Sequence, residues 1–152
     1  MQFIDTHLHL QDYKTGFATD IVKEALIGGV DRLVCAATGM FDWDKVARFA
    51  KQYPGTVVPA FGLHPWYLQE AKPDWLPRLR EYLARFPEAL IGECGLDGIK
   101  NPDDEPQNSV FCQTYTVGGG AETPAYNPCR QGAGVAGKLL GYAAGKICFS
   151  FV

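Results

Sequence analysis

The feature that most limits the fold is a regular alternation of short apolar runs and amphipathic segments along the first 113 residues. Each apolar run is followed by a longer segment whose apolar residues recur at helical spacing. Short, continuous apolar strands are typical of a parallel sheet covered by helices on its faces, or of a barrel with helices outside it. The sequence therefore predicts an α/β fold with strands at residues 3–10, 32–37, 57–63 and 89–92.

Three helices are predicted between these strands, each preceded by an aspartate. Asp20, Asp42 and Asp74 are the predicted N-caps, because a short polar side chain can accept hydrogen bonds from the unpaired N–H groups of the first helical turn. Gly28-Gly29 is predicted to end the first helix, since glycine adopts the backbone conformation that commonly closes a helix. The result is a series of βα units.

The composition changes abruptly near residue 113. Only four of the 31 charged residues lie beyond residue 112, whereas the last 40 residues contain eight of the 17 glycines. A fourth helix is predicted to begin near Pro106 and to meet poor helix formers at Thr114–Val117. We therefore divide the chain into a domain at residues 1–113 and an irregular, glycine-rich tail at residues 114–152. One hypothesis is a reading-frame change near codon 113 followed by an early stop, which the gene's nucleotide sequence would test.

The charge balance and the N-terminal residues restrict the classes of function. The formal net charge is −3, whereas domains that hold nucleic acid by bulk charge are usually basic. An enzyme that contacts phosphate through a metal ion is not excluded by this charge. Met1–Asp5 lacks the basic and apolar regions of a signal peptide, and no apolar run is long enough to span a membrane. We therefore expect a cytoplasmic protein with no membrane partner.

The motif Asp5-Thr6-His7-Leu8-His9, at the end of the first predicted strand, is the strongest chemical signal. Residues i and i+2 of a strand point to the same face, with Cα atoms about 6.5–7 Å apart, so His7 and His9 can close on one divalent cation. Asp5 has the same parity and could orient a metal ligand. The alternative is a pair of ordinary histidines in a half-buried strand.

Two more polar residues follow predicted strands. Glu93 comes directly after the fourth strand, and burying its carboxylate is unfavourable unless a cation or hydrogen-bond donors meet it. His64 follows the third strand. Their simpler interpretations are an exposed loop glutamate and a structural histidine. However, the strand ends of a βα barrel lie on one face, where active sites form, so both residues are predicted to lie near the histidine pair.

Three segments, in this order and at these separations, resemble the N-terminal signatures of TatD-type metal-dependent hydrolases: Phe3–Leu10, Gly62–Pro65 and Gly92–Asp97. The resemblance covers about residues 1–113. It implies a (β/α)8 TIM barrel, of which this chain would contain about the first four βα units. It also implies a deoxyribonuclease-like hydrolase of phosphodiester bonds, often in DNA, that uses one or two divalent metal ions (Mg²⁺, Mn²⁺ or Zn²⁺).

The resemblance also implies roles for individual residues. His7 and His9 bind one metal, and Glu93 bridges two metals. His64 lies near the substrate phosphate. The family supplies two further histidines and an aspartate from its second half, but this chain has no histidine after His64 and no aspartate after Asp104. We therefore expect at most one half-formed metal site and an incomplete active site.

Three functions remain open from the sequence. The first is a TatD-type hydrolase of DNA or of another phosphodiester. The second is a catalytically inactive, truncated product that binds metal weakly. The third is an amidohydrolase-type enzyme that cleaves a C–N bond, although Gly62–Pro65 together with Gly92–Asp97 favours TatD. Because four strands leave two open sheet edges and an uncovered face, self-association is also predicted.

Overall fold

The computed structural model describes residues 3–97, 105–117 and 147–149 of the chain. Five parallel strands form one sheet, in which each strand pairs with the next one along the chain. They are β1 (Phe3–Leu8), β2 (Val30–Ala36), β3 (Val57–Phe61), β4 (Leu90–Cys94) and β5 (Ile147–Phe149). A sequential parallel order is the order found in βα barrels, and the sheet curls as about half of one. The predicted α/β class is confirmed.

Helices follow the strands. They are α1 (Thr15–Ile27), α2 (Trp43–Gln52), α3 (Trp75–Arg85) and α4 (Glu105–Val117). Short 3-10 helices at Leu10–Asp12 and Pro65–Glu70 come directly after β1 and β3, respectively, and carry the chain away from the ends of those strands. Among the helices that the structure describes, none has the length and apolar character needed to cross a membrane.

Two of the three predicted helix starts agree with the structure. α2 and α3 begin immediately after Asp42 and Asp74, the predicted N-caps. The prediction for Asp20 was wrong, because this residue lies inside α1. Ala18 and Val22 lie one turn apart on α1 and are both buried in the core. Burial of this apolar face outweighs the capping preference of Asp20, which points to solvent.

The end of α4 also differs from the prediction. The helix continues through the segment that was expected to be poor helix material and ends at Val117. The hydroxyls of Thr114 and Thr116 donate to the carbonyl oxygens of Val110 and Cys112, at 2.8 and 2.9 Å. Both hydroxyls are therefore satisfied within the helix. Tyr115 and Val117 pack against the buried cluster of Ile91, Cys94 and Phe111, and such packing outweighs a low intrinsic helix propensity.

β5 is the described part of the glycine-rich tail beyond α4. It pairs with β4 in parallel, with Ile147 opposite Ile91. Residues 118–146 and 150–152 lie outside the described residues. The irregular tail and the domain boundary near residue 113 therefore stay predictions.

A cluster of aromatic side chains packs β3 against α2 and α3. The ring centroid of Phe61 on β3 lies 4.9 Å from that of Tyr82, and Trp43 lies 5.5 Å from Tyr82. The Trp43 indole N–H donates to the carbonyl oxygen of Gly62 at 3.0 Å. The Tyr82 hydroxyl donates to Asp44 at 2.5 Å. Burial raises the pKa of Tyr82 most, and this hydrogen bond raises it further. These contacts fix the end of β3 relative to two helices.

Candidate metal centre

The structure brings His7, His9 and Glu93 together at the C-terminal ends of β1 and β4. Two strands separate β1 from β4 in the sheet, so the curl of the sheet is what brings the two ends close. His7 is exposed and His9 is half-buried, whereas the Glu93 side chain is only 5% exposed. The group therefore opens to solvent on the histidine side and rests on a buried carboxylate.

The potential ligand atoms are separated by distances that suit one cation. Nε2 of His7 lies 3.2 Å from Nε2 of His9 and 3.2 Å from Oε1 of Glu93. Nε2 of His9 lies 3.8 Å from Oε2 of Glu93. Ligands at roughly 2.0–2.1 Å from a tetrahedral metal are about 3.3 Å from one another. Two imidazole nitrogens and one carboxylate therefore fit a divalent cation in both donor type and spacing.

The ring of His9 is held by the end of β2. Its Nδ1 lies 2.8 Å from the carbonyl oxygen of Ala36, and because a carbonyl can only accept, Nδ1 carries the proton. Nε2 then presents its lone pair to the group, as a metal ligand must. The Gln11 side-chain amide donates to the same carbonyl at 2.7 Å, and its oxygen accepts from the Cys35 thiol at 3.3 Å.

Asp5 supports His7 through the backbone. Its Oδ1 accepts a hydrogen bond from the backbone N–H of His7 at 3.0 Å. The contact therefore fixes the strand at His7, and the imidazole is oriented only indirectly. The rings of His7 and His9 pack edge to face, with centroids 4.9 Å apart. The two side chains therefore lie on the same side of the backbone.

Three successive carbonyl oxygens at the end of β2, those of Ala36–Thr38, accept hydrogen bonds from three of the predicted site residues. Ala36 accepts from Nδ1 of His9, Ala37 accepts from the backbone N–H of Glu93, and Thr38 accepts from that of His64. The distances are 2.8, 2.8 and 2.9 Å. The segment Ala36–Thr38 therefore acts as a template that sets the ends of β1, β3 and β4 relative to one another.

The carboxylate of Asp42 fixes this template through hydrogen bonds. Its Oδ2 accepts from the backbone N–H and the hydroxyl of Thr38, each at 3.0 Å, and from the Gln11 amide at 3.2 Å. Its Oδ1 accepts from the N–H of Gly39 at 3.3 Å. Asp42 occupies the predicted N-cap position of α2, but its side chain makes no capping hydrogen bond. Its buried carboxylate instead accepts hydrogen bonds from the polar groups of the loop that carries the template.

Gly62 allows β3 to approach the backbone of Glu93. A Cβ atom at this position would collide with the carbonyl oxygen of Glu93. It would also lie 2.9 Å from the carbonyl carbon of Gly92 and 3.0 Å from that of Glu93. These neighbours are backbone atoms and cannot rotate away, so a larger residue at position 62 would have to displace Glu93.

Residues 4–127 match the family described as TatD related DNase. The chain belongs to this family. The putative deoxyribonuclease tatdn3 of Danio rerio is 30% identical, over 98% of this chain and 69% of the fish protein. The 3′-5′ ssDNA/RNA exonuclease TatD of Erwinia tasmaniensis is 30% identical, over 77% of this chain and 47% of its own length.

The fold of this TatD-family chain matches a solved structure. YJJV, a TatD homolog from Escherichia coli, is 29% identical, with a TM-score of 0.66 over 76% of this chain and 46% of that chain. The chain thus spans about half the length of that structure and of the bacterial relative. The predicted TIM-barrel architecture, limited to its first units, is confirmed.

The TatD-family match reaches farther along the chain than the sequence signatures indicated. It continues past residue 113 to residue 127, and the alignment with the fish protein includes nearly the whole chain. That alignment extends over 186 residues, which exceeds the 152 residues of this chain. The fish protein therefore has residues inside the aligned region that have no counterpart here.

His64, predicted to lie near the substrate phosphate, is not part of the group of three ligand residues. It is buried, and its Nδ1 accepts a hydrogen bond from the backbone N–H of Trp66 at 3.1 Å. The proton of the neutral ring is therefore on Nε2, which makes Nε2 a donor. A donor suits a phosphate oxygen, and the substrate-binding role of His64 stays a prediction.

Sequence patterns missed the supporting roles of Gln11 and Asp42. Gln11 gave no usable signal, because it lies beyond the end of β1 in the 3-10 helix Leu10–Asp12, where the i, i+2 alternation of a strand does not apply. Asp42 gave only its helix-cap signal, and nothing local relates it to Gln11. Their hydrogen bond joins residues 31 positions apart in the chain.

Cys35 contributes to the framework and not to metal binding. Burial raises the pKa of Cys35 to about 12, against the opposing effect of backbone hydrogen bonds from Leu10 and Gln11. The thiol is therefore protonated at neutral pH and donates to the oxygen of Gln11. In the part of the chain that the structure describes, the group of close ligand atoms contains His7, His9 and Glu93 and does not include Cys35.

Proposed function

We propose that this chain is a divalent-metal-dependent hydrolase of phosphodiester bonds in single-stranded nucleic acid. The observation that carries the proposal is the convergence of His7, His9 and Glu93, with ligand atoms all within 4.8 Å of one another. The family match places the chain among nuclease-like metal hydrolases. The choice of substrate is supported by relatives named as a deoxyribonuclease and as an exonuclease of ssDNA and RNA.

The proposed roles follow from the contacts of each residue. His7, His9 and Glu93 would hold the cation, which when bound lowers the pKa of coordinated water to about 7 and polarises a phosphoryl oxygen. The Ala36–Thr38 template keeps His9 and Glu93 at fixed positions before the metal arrives. His64 would donate a hydrogen bond from Nε2 to a phosphate oxygen and so orient the substrate.

A second candidate is a chain that binds a metal weakly and does not catalyse hydrolysis. The sequence contains three histidines in all. Two of them belong to the metal group, and Nδ1 of the third, His64, is occupied by the N–H of Trp66. Because Nε2 of His64 then carries the proton, the third histidine presents no lone pair to a metal in this tautomer. For the C–N hydrolase, in contrast, neither the site geometry nor the family match adds support.

A nuclease assay separates these two candidates. The purified chain is expected to shorten a fluorescent single-stranded oligodeoxynucleotide in Mg²⁺, Mn²⁺ or Zn²⁺ and to lose this activity in EDTA. Glu93→Gln should lower the rate at least about 100-fold, because even groups that only support a metal ligand contribute 10–100-fold. Glu88→Gln, the same change at an exposed position, is the control. If the folded wild-type chain binds metal and leaves the oligonucleotide intact, the second candidate replaces the first.

We also propose that the isolated chain self-associates through its β1 side. β1 is at one edge of the described sheet, and Ile4 on this strand is 57% exposed. Ile27 at the end of α1 is 80% exposed. An open strand edge flanked by exposed apolar side chains is a template for pairing with a second chain.

Sedimentation velocity over a range of concentrations tests this proposal. The wild-type chain is expected to form dimers or larger species, because association removes the apolar edge from water. Ile4→Lys should weaken association at least about tenfold, or about 1.4 kcal/mol. Gln69→Lys adds the same charge at another exposed position and should change little. A wild-type chain that stays monomeric at every concentration would contradict the proposal.

A further inference from the structure

Trp66 differs from the other two tryptophans of the chain in its exposure. Trp43 and Trp75 are buried, whereas Trp66 is 43% exposed. It belongs to a group of aromatic rings around His64: its own centroid lies 5.2 Å from that of His64, and Tyr67 lies 5.8 Å from His64. Phe41, 53% exposed, packs edge to face on Tyr67 at 5.5 Å. A patch of exposed aromatic surface therefore adjoins a predicted substrate-binding residue.

The ring of Trp66 is held at its polar end by a buried carboxylate. Its indole N–H donates to Oδ2 of Asp97 at 2.6 Å, and Asp97 is fully buried. Asp97 is fixed in turn by the side chain of Gln107, which accepts from its N–H at 2.8 Å and donates to its carbonyl oxygen at 3.3 Å. A half-exposed indole anchored in this way keeps one orientation while part of its apolar surface stays in contact with water.

The same ring is tied to the candidate metal centre through the backbone. The N–H of Trp66 donates to Nδ1 of His64, and the N–H of His64 donates to Thr38. The carbonyl of Ala37, the preceding residue, accepts from the N–H of Glu93. The position of the indole relative to the metal ligands is therefore fixed by a short series of direct hydrogen bonds.

We propose that Trp66 is a stacking platform for a nucleobase of the single-stranded substrate, and that Asp97 is the residue that positions the platform. The inference rests on the proposed function and adds to it how the strand is recognised. Bases of a duplex are stacked on their neighbours, so only an unpaired strand can present a base face to the indole. Stacking also suits a chain of net charge −3, which has no bulk attraction for phosphates.

Intrinsic fluorescence provides the test, because Trp66 is the exposed one of the three tryptophans. The full chain is titrated in Mg²⁺ with a ten-nucleotide deoxyadenosine oligomer carrying phosphorothioate linkages, and with an abasic oligomer of the same backbone. The adenine oligomer is expected to quench the emission and to bind about tenfold more tightly than the abasic one. Trp66→Leu should remove this difference and leave the affinity for the abasic oligomer unchanged. Trp75→Phe should retain the quenching.

Two substitutions at Asp97 test its positioning role. Asp97→Asn keeps an oxygen that can accept from the indole and should retain most of the preference for bases. Asp97→Ala should lower the ratio of the affinities for the adenine and abasic oligomers towards one, while the abasic oligomer binds as before. Circular dichroism establishes that each variant is folded. Asp97→Ala with an unchanged preference would overturn the role of Asp97.

The outcomes keep this inference separate from the proposed function. If both oligomers bind in a Mg²⁺-dependent manner with equal affinity and without quenching, stacking on Trp66 is wrong and the metal-dependent hydrolase still stands. If neither oligomer binds and Mg²⁺ itself does not bind, the proposed function fails and the inference fails with it.

Discussion

Zn²⁺ is expected to raise the melting temperature of the wild-type chain by about 5–10 °C and to have little effect on Glu93→Gln. A ligand that binds only the folded state stabilises it by about 2.7 kcal/mol when its concentration is 100 times Kd. One kcal/mol corresponds to about 2–4 °C for a chain of this size. Glutamine removes the negative charge and leaves one neutral oxygen, so the cation loses its one charged ligand and is held mainly by the two imidazoles. Thermal unfolding followed by circular dichroism, with and without Zn²⁺, measures the shift.

The control for this experiment is Glu88→Gln, which makes the same chemical change at an exposed position before β4. It should show the full wild-type shift. His9→Asn should lose the shift as Glu93→Gln does, because the asparagine side chain cannot reproduce the imidazole nitrogen at the same position. A full zinc shift in both ligand variants would show that the metal binds elsewhere on the chain.

Gly62→Ala is expected to destabilise the fold by about 1–3 kcal/mol and to weaken metal binding by about 10–100-fold. The added Cβ would meet the backbone of Gly92 and Glu93, so β4 has to shift where it carries the ligand. The N–H of Glu93 would then move relative to Ala37, and the carboxylate would move relative to the two imidazoles. Urea unfolding of the metal-free chain and calorimetric titration with Zn²⁺ measure the two effects separately.

Gly16→Ala is the matched control for this substitution. A Cβ atom at Gly16 has no neighbour within 4 Å, and this residue lies in the first turn of α1. Alanine should leave metal affinity unchanged and should raise stability by up to about 1 kcal/mol, since it loses less conformational freedom on folding than glycine does. If Gly62→Ala and Gly16→Ala bind Zn²⁺ equally well, close packing at Gly62 does not set the position of Glu93.

Local patterns were sufficient for much of the fold. The four apolar runs of the first 113 residues became β1 to β4, and Asp42 and Asp74 precede their helices as predicted. The failures have physical causes. α1 begins before Asp20 because burial of Ala18 and Val22 outweighs a surface cap. α4 continues because Tyr115 and Val117 pack against the core cluster that contains Phe111.

The sequence by itself determined which residues are candidates for binding a metal. The types of His7, His9 and Glu93, the i, i+2 parity of the histidines and the positions of all three at strand ends are local properties that can be seen without coordinates. The family resemblance depended on the same residues.

Only the tertiary structure decided how those residues are held. The Ala36–Thr38 template, the carboxylate of Asp42 and the close approach at Gly62 all depend on contacts between residues far apart in the chain. Gln11, for example, donates to partners 25 and 31 positions away. Contacts of this kind leave no periodic pattern in a sequence, because they depend on how strongly the sheet curls and on which strand ends that curl brings together.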